Sequence, residues 1–188
     1  MPLAAFVLGL AVLSVALFFA LRPPGPGSAT AAVGGPFVLV SQEGRTVTER
    51  DLRGAPYLVF FGFTHCPDVC PTTLFQISEA LRATGPKGAK LRALFVTVDP
   101  ERDTPEILKS YLGSFDERII GLTGSREAVD AMVKVYRGYS RKVPTKGDDY
   151  TMEHTSVVYL MDDQGRFVST FNLNRDPEEA ARDLLRQL

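Results

Sequence analysis

Two cysteines and two histidines are the only thiols and imidazoles of this 188-residue chain, and three of the four fall in one stretch, His65-Cys66-Pro67-Asp68-Val69-Cys70-Pro71. The cysteines stand at Cys-x-x-x-Cys spacing, one residue longer than the Cys-x-x-Cys of redox loops. Thiolate is the form that attacks a disulfide or binds a metal. Pro71 bears on whether the chain favours it. Proline disfavours helix at the residue before it and fits best at the first helical position. That predicts Cys70 just ahead of a helix and Cys66 in the turn above, both sulfurs facing the positive end of the helix dipole. A purely structural disulfide is the plain alternative, but in the chain-entropy model so short a loop contributes only about 2 kcal/mol. Two inert buried thiols fit poorly beside Pro67, Asp68 and His65.

Soft thiolates select Cu(I), zinc or iron–sulfur clusters, and imidazole suits copper and zinc. Two cysteines are too few for an ordinary iron–sulfur cluster. A closed zinc site wants four ligands, which both cysteines and both histidines could only just supply. Copper tolerates three. His65 adjoins Cys66, and neighbours in an extended segment point to opposite faces. His154 opens the apolar run Thr155–Met161, read as a strand beside the reactive loop in a thioredoxin-like fold. It is therefore the better third ligand. A lone histidine is more often structural; the expected fold is what reverses that reading.

The elements that would hold these residues are legible as hydrophobic runs. Tyr57 to Phe63 and Leu91 to Val98 read as buried strands. Pro71 to Ala83 reads as a helix with Leu74, Ile77, Ala80 and Leu81 as its apolar stripe. Phe37–Val40 and Thr46–Thr48 predict a short hairpin. Asp99-Pro100-Glu101-Arg102-Asp103 reads as a loop with turn and capping roles only, followed by a helix from Thr104 towards Phe115. Ile119–Leu122 predicts a strand and Ser125 to about Tyr136 a helix. Gly138 to Glu153 reads as a solvated polar loop. Pro144-Thr145 resembles a cis-proline motif only superficially, because charged residues and not a strand follow it. Thr155–Met161 and Arg166–Phe171 pair around the turn at Asp162–Gly165, and Asp176 caps a last helix. Strands alternating with helices and ending in a hairpin and helix fit a thioredoxin-like α/β sandwich.

Leu3 to Leu21 is an uncharged apolar run of 19 residues, roughly 28 Å long as a helix and close to the thickness of a bilayer core. It predicts a transmembrane helix within residues 1–22, a Pro/Gly/Ala-rich tether over 23–35 and one globular domain over 36–188. Ala29-Thr30-Ala31 would suit signal cleavage, but it lies well past a run already long for a signal, which favours an uncleaved anchor. A formal net charge of −1 gives no electrostatic basis for nucleic-acid binding. Walker and dinucleotide glycine motifs are both missing from the sequence.

Phe61-Gly62-Phe63-Thr64-His65-Cys66-Pro67-Asp68-Val69-Cys70-Pro71-Thr72-Thr73 resembles the signature of the Sco/SenC family of copper chaperones. The similarity continues through Val98–Pro105, Gly121–Gly124 and His154–Leu160. The resemblance implies a membrane-tethered, thioredoxin-like domain that handles copper for cytochrome c oxidase assembly. It implies Cys66, Cys70 and His154 as ligands of one copper ion per domain, Cu(I) or Cu(II). Asp68 and Glu153 are the carboxylates expected around them, although the family usually has Asp where Glu153 stands. The expected partners are oxidase subunit II as copper acceptor and another periplasmic protein as donor. With no Arg-rich presequence ahead of the apolar run, a bacterial-type cell membrane is expected, with the domain on its periplasmic side. Copper delivery by ligand exchange is the leading reading. A thiol-disulfide reductase that keeps the partner's ligand cysteines reduced is the alternative, and it would have no use for His154. A peroxidase of the same fold fits the spacing least well.

Overall fold

The computed structural model describes residues 33–188. The expected anchor and nearly all of the tether lie outside the described residues. Among the described residues, no helix is long and apolar enough to cross a membrane.

A seven-stranded sheet carries the site at one end. β1 (Val38–Ser41) and β2 (Thr46–Thr48) form the expected hairpin. β3 (Tyr57–Gly62) is buried at all six positions and β4 (Arg92–Thr97) at all but its first. Such unbroken apolar runs belong to strands covered on both faces. β3 runs parallel to β4, and β4 parallel to β5 (Ile119–Thr123). Parallel neighbours need long crossovers, supplied here by α1 (Val69–Ala83) and α2 (Pro105–Leu112). α3 (Arg126–Val135) follows β5. β8 (Val158–Met161) lies antiparallel on the other side of β3, with Phe60 opposite Val158, and β9 (Phe167–Thr170) forms that edge of the sheet. α4 (Pro177–Leu185) packs on α1. Three of the helix starts read from sequence hold: Thr104, Ser125 and Asp176 each accept a backbone N–H in the following turn.

Residues 138–153 are not a solvated loop. They supply most of a separate two-stranded hairpin, β6 (Ser140–Pro144) and β7 (Tyr150–His154), paired from Ser140 opposite His154 to Pro144 opposite Tyr150. Met152 is buried and Tyr150 and Val143 half-buried, while Arg141, Lys142 and Glu153 face water. Tyr150 and Met152, two residues apart, share one face of the ribbon, and the outward charges of Arg141 and Glu153 hide the pattern in the sequence. Pro144 closes β6 with a trans peptide bond. His154 is accordingly the last residue of β7, and β8 begins four residues later than His154 rather than running on from it.

Helix α1 is tied to the start of β5 by a polar relay. The Ser78 hydroxyl donates to the Leu74 carbonyl at 2.8 Å and accepts the Asp116 amide N–H at 3.1 Å. Asp116 accepts two bonds from the Arg118 guanidinium, each 2.8 Å, and that hydrogen bonding holds its carboxyl below the ordinary value of 3.8. A carboxylate with a depressed folded-state pKa contributes stability above its unfolded pKa and loses it as pH falls through the folded one. Asp116→Asn should therefore be less stable than wild type at neutral pH. The gap should narrow as the pH falls below about 4, as read from urea midpoints across the acid range. A gap independent of pH would contradict the assignment.

Candidate metal centre

The cysteine loop begins where β3 ends. Phe63 is buried, the Cys66 amide donates to the Phe63 carbonyl at 3.2 Å, and α1 starts at Val69. Cys70 thus lies inside the first helical turn and not ahead of it. Pro71 is tolerated there because the first four amides of a helix have no intrahelical acceptor to lose. Asp68 occupies the N-cap, exposed, and its carboxylate makes no capping bond. The Cys66 sulfur caps instead, accepting the Cys70 amide N–H at 3.4 Å. Cys66 is partly exposed and Cys70 is fully buried.

That burial corrects the expected thiolate at Cys70. Desolvation pushes the Cys70 thiol far up, and Cys66 and Asp103 beside it add to the rise. A backbone hydrogen bond at Phe63 lowers it in part, but burial penalises the charged form directly. Burial thus favours the neutral thiol over the thiolate at Cys70.

His154 reaches this thiol from the end of β7. Its Nε2 stands 3.9 Å from the Cys70 sulfur, and its Nδ1 is 3.0 Å from the Thr155 carbonyl. A carbonyl only accepts, so Nδ1 carries the proton and the Nε2 lone pair faces the sulfur. Burial lowers the His154 pKa, partly opposed by that carbonyl. Phe63 packs edge-on to the ring at 5.7 Å and fixes its plane. His65, by contrast, is exposed and 3.1 Å from the Thr64 hydroxyl. Glu153 is also exposed, paired across the hairpin with Arg141 at 2.7 Å. Neither Asp68 nor Glu153 hydrogen-bonds a sulfur or the imidazole.

The structure brings the Cys70 sulfur and His154 together, with the Cys66 sulfur against the Cys70 amide. Among the described residues, no group of three or more His, Cys, Asp and Glu side chains already stands at metal-holding spacing. The donor set nevertheless suits a soft ion. A sulfur and a nitrogen 3.9 Å apart are spanned by one ion with bonds of about 2.3 and about 2.0 Å.

Two carboxylates in the loop after β4 have roles that turn chemistry does not account for. Asp103, fully buried, accepts the Thr64 amide N–H at 3.0 Å, the Thr64 hydroxyl at 2.6 Å and the Thr97 hydroxyl at 2.5 Å. Asp99, also fully buried, accepts from Arg102 and from the Tyr150 hydroxyl at 2.9 Å. Arg102 continues to the Tyr150 carbonyl at 3.1 Å and lies over the Tyr150 ring at 3.8 Å. The only hint in the sequence is a pair of aspartates directly after a buried strand.

Known proteins resemble this chain over almost its whole length. The SCO1/SenC family profile matches residues 25–188. ScoI of Bradyrhizobium japonicum with copper bound superposes with a TM-score of 0.81 at 58% identity, covering 84% of this chain and 100% of that one. SenC of Rhodobacter capsulatus is 40% identical over 87% of this chain and 74% of its own length. The mitochondrial SCO1 homolog 1 of Arabidopsis thaliana is 36% identical over 87% of this chain, which spans about half, 49%, of that relative.

Gly62, the last residue of β3, leaves the Cys70 sulfur its space. A Cβ there would lie 2.5 Å from the Phe95 ring and 3.0 Å from that sulfur, and Phe95 is fully buried. Gly62→Ala should cost about 1–3 kcal/mol by overpacking and displace the thiol towards solvent. Thermal unfolding and the rate of Cys70 alkylation in a Cys66→Ser background read the two effects. Wild-type values for both would contradict the packing described.

Proposed function

Because this chain belongs to the SCO1/SenC family, whose members act in copper delivery for cytochrome c oxidase assembly, we propose that it is a copper metallochaperone. Its acceptor in this reading is the binuclear copper site of oxidase subunit II, and Cys66, Cys70 and His154 hold the ion in transit. Support comes from the similarity to a ScoI that binds copper and above all from one observation. A neutral imidazole presents its Nε2 lone pair to a buried thiol at 3.9 Å, which a dithiol reductase would not need.

The protonation states give the exchange its direction. Loading a thiol requires loss of its proton, so uptake of copper releases the Cys70 proton. When the ion leaves, burial returns Cys70 to the neutral thiol, which favours release over a stranded buried thiolate. Cys66, partly exposed, is the ligand that an incoming partner cysteine meets first. Residues 1–22 serve as the membrane anchor and 23–35 as the tether, so the domain works at the outer face of a bacterial-type membrane.

His154→Ala is the discriminating variant. Thiolates alone favour Cu(I), whereas the added imidazole lets the site hold Cu(II) as well. The variant should lose the thiolate-to-Cu(II) absorption band, keep most Cu(I) binding and fail to support oxidase assembly in cells. If His154→Ala assembles oxidase normally while Cys66→Ser does not, thiol-disulfide reduction replaces copper delivery as the function.

A further inference from the structure

The two halves of the proposed centre come from parts of the chain far apart in sequence. Cys66 and Cys70 follow β3, whereas His154 ends a hairpin that is not part of the main sheet. Both halves are nonetheless bonded to the same five residues, 99–103. On one side, the Asp103 carboxylate takes the backbone N–H and the hydroxyl of Thr64, two residues before Cys66. On the other, Asp99 takes the Tyr150 hydroxyl, and Arg102 takes the Tyr150 carbonyl and covers its ring. Tyr150 opens the strand that His154 closes. Lys142, on the paired strand, adds a bond to Glu101 of the same loop at 2.6 Å.

We propose that the loop 99–103 is a positioning bracket that sets the distance between the cysteine pair and His154, its Asp103 arm acting on the cysteines and its Tyr150 arm on the histidine. This rests on the reading of Cys66, Cys70 and His154 as one site. Both carboxylates are fully buried, so each is committed to its partners: an unpaired buried charge is costly, and neither oxygen can exchange its donors for water. The Asp103 arm acts at short range. With Thr64 pinned by two bonds, the turn from Phe63 to Cys66 keeps the Cys66 sulfur against the Cys70 amide, and the two sulfurs are pre-organised for each other. The Tyr150 arm acts through a five-residue strand whose register to β6 is continuous, so tilting Tyr150 tilts His154. None of these residues ligates the metal. They act through the ligands.

The test separates the arms in the metal-free full chain. Thr64→Val keeps side-chain shape but removes the hydroxyl donor, Thr64→Ser retains it, and Tyr150→Phe removes only the phenol. Two readouts are followed: the Cys66–Cys70 dithiol–disulfide equilibrium against dithiothreitol, and the NMR shifts of the His154 ring. Thr64→Val should lower the disulfide equilibrium constant roughly tenfold, the scale of one lost charge-assisted bond, with the His154 ring unmoved and Thr64→Ser close to wild type. Tyr150→Phe should shift the His154 ring and leave the thiol equilibrium as in wild type. If both variants merely lower the unfolding temperature with neither readout displaced, or if both displace both readouts alike, the bracket is overturned. Because neither readout uses copper, failure of wild type to bind the ion would overturn the delivery reading and leave this test intact.

Discussion

Desolvation of two facing ligands governs this structure. The fully buried Cys70 sulfur meets the half-buried His154 imidazole, and burial makes charge on either costly. Burial therefore favours the neutral form of each, a thiol at Cys70 and a base at His154. A soft cation changes that balance, because it compensates the thiolate it creates. A ligand pair that is stable without its ion and yields a proton to receive it suits a carrier that must load and unload.

Such a pair needs a frame that holds it without touching it. β3, β4 and β5 form a dry centre of parallel strands, and the reactive loop leaves the end of β3 over the Gly62 gap. β8 returns along β3 and brings the segment after His154 over the same end. The polar half of the frame is the loop after β4, with its two buried aspartates. Hydrogen bonds that would count for little at the surface count for more here, since each removed partner leaves a buried carboxylate short of a donor. The buried Cys70 thiol and the half-buried His154 ring are thus framed by charged residues one layer out.

Much of this was legible in the sequence, for identifiable reasons. The runs Tyr57–Phe63 and Leu91–Val98 are apolar without interruption and admit few readings but buried strands. The cysteine pair and His154 stand out because so few thiols and imidazoles exist in the chain. The hairpin of β6 and β7 is hidden because Arg141, Lys142 and Glu153 dominate its composition, while the inward face of β7 is held by residues as different as Tyr150 and Met152. The protonation of Cys70 is not legible from the helix start. A dipole argument assumes solvent access, and burial depends on contacts that spacing does not reveal. The duties of Asp99 and Asp103 were invisible for a similar reason, since Tyr150 lies 51 residues from the one and Thr64 lies 39 from the other.

In the copper-delivery reading Cys66, Cys70 and His154 close on one ion, and in the metal-free chain Cys70 already meets both of the others, the Cys66 sulfur at its amide and the His154 Nε2 at its sulfur. X-ray absorption at the copper edge of the Cu(I)-loaded full chain tests this most directly. The structure predicts a first shell of two sulfurs and one imidazole nitrogen, with the nitrogen lost in His154→Ala and both sulfurs retained. A shell without sulfur, or one unchanged when His154 is replaced, would contradict it.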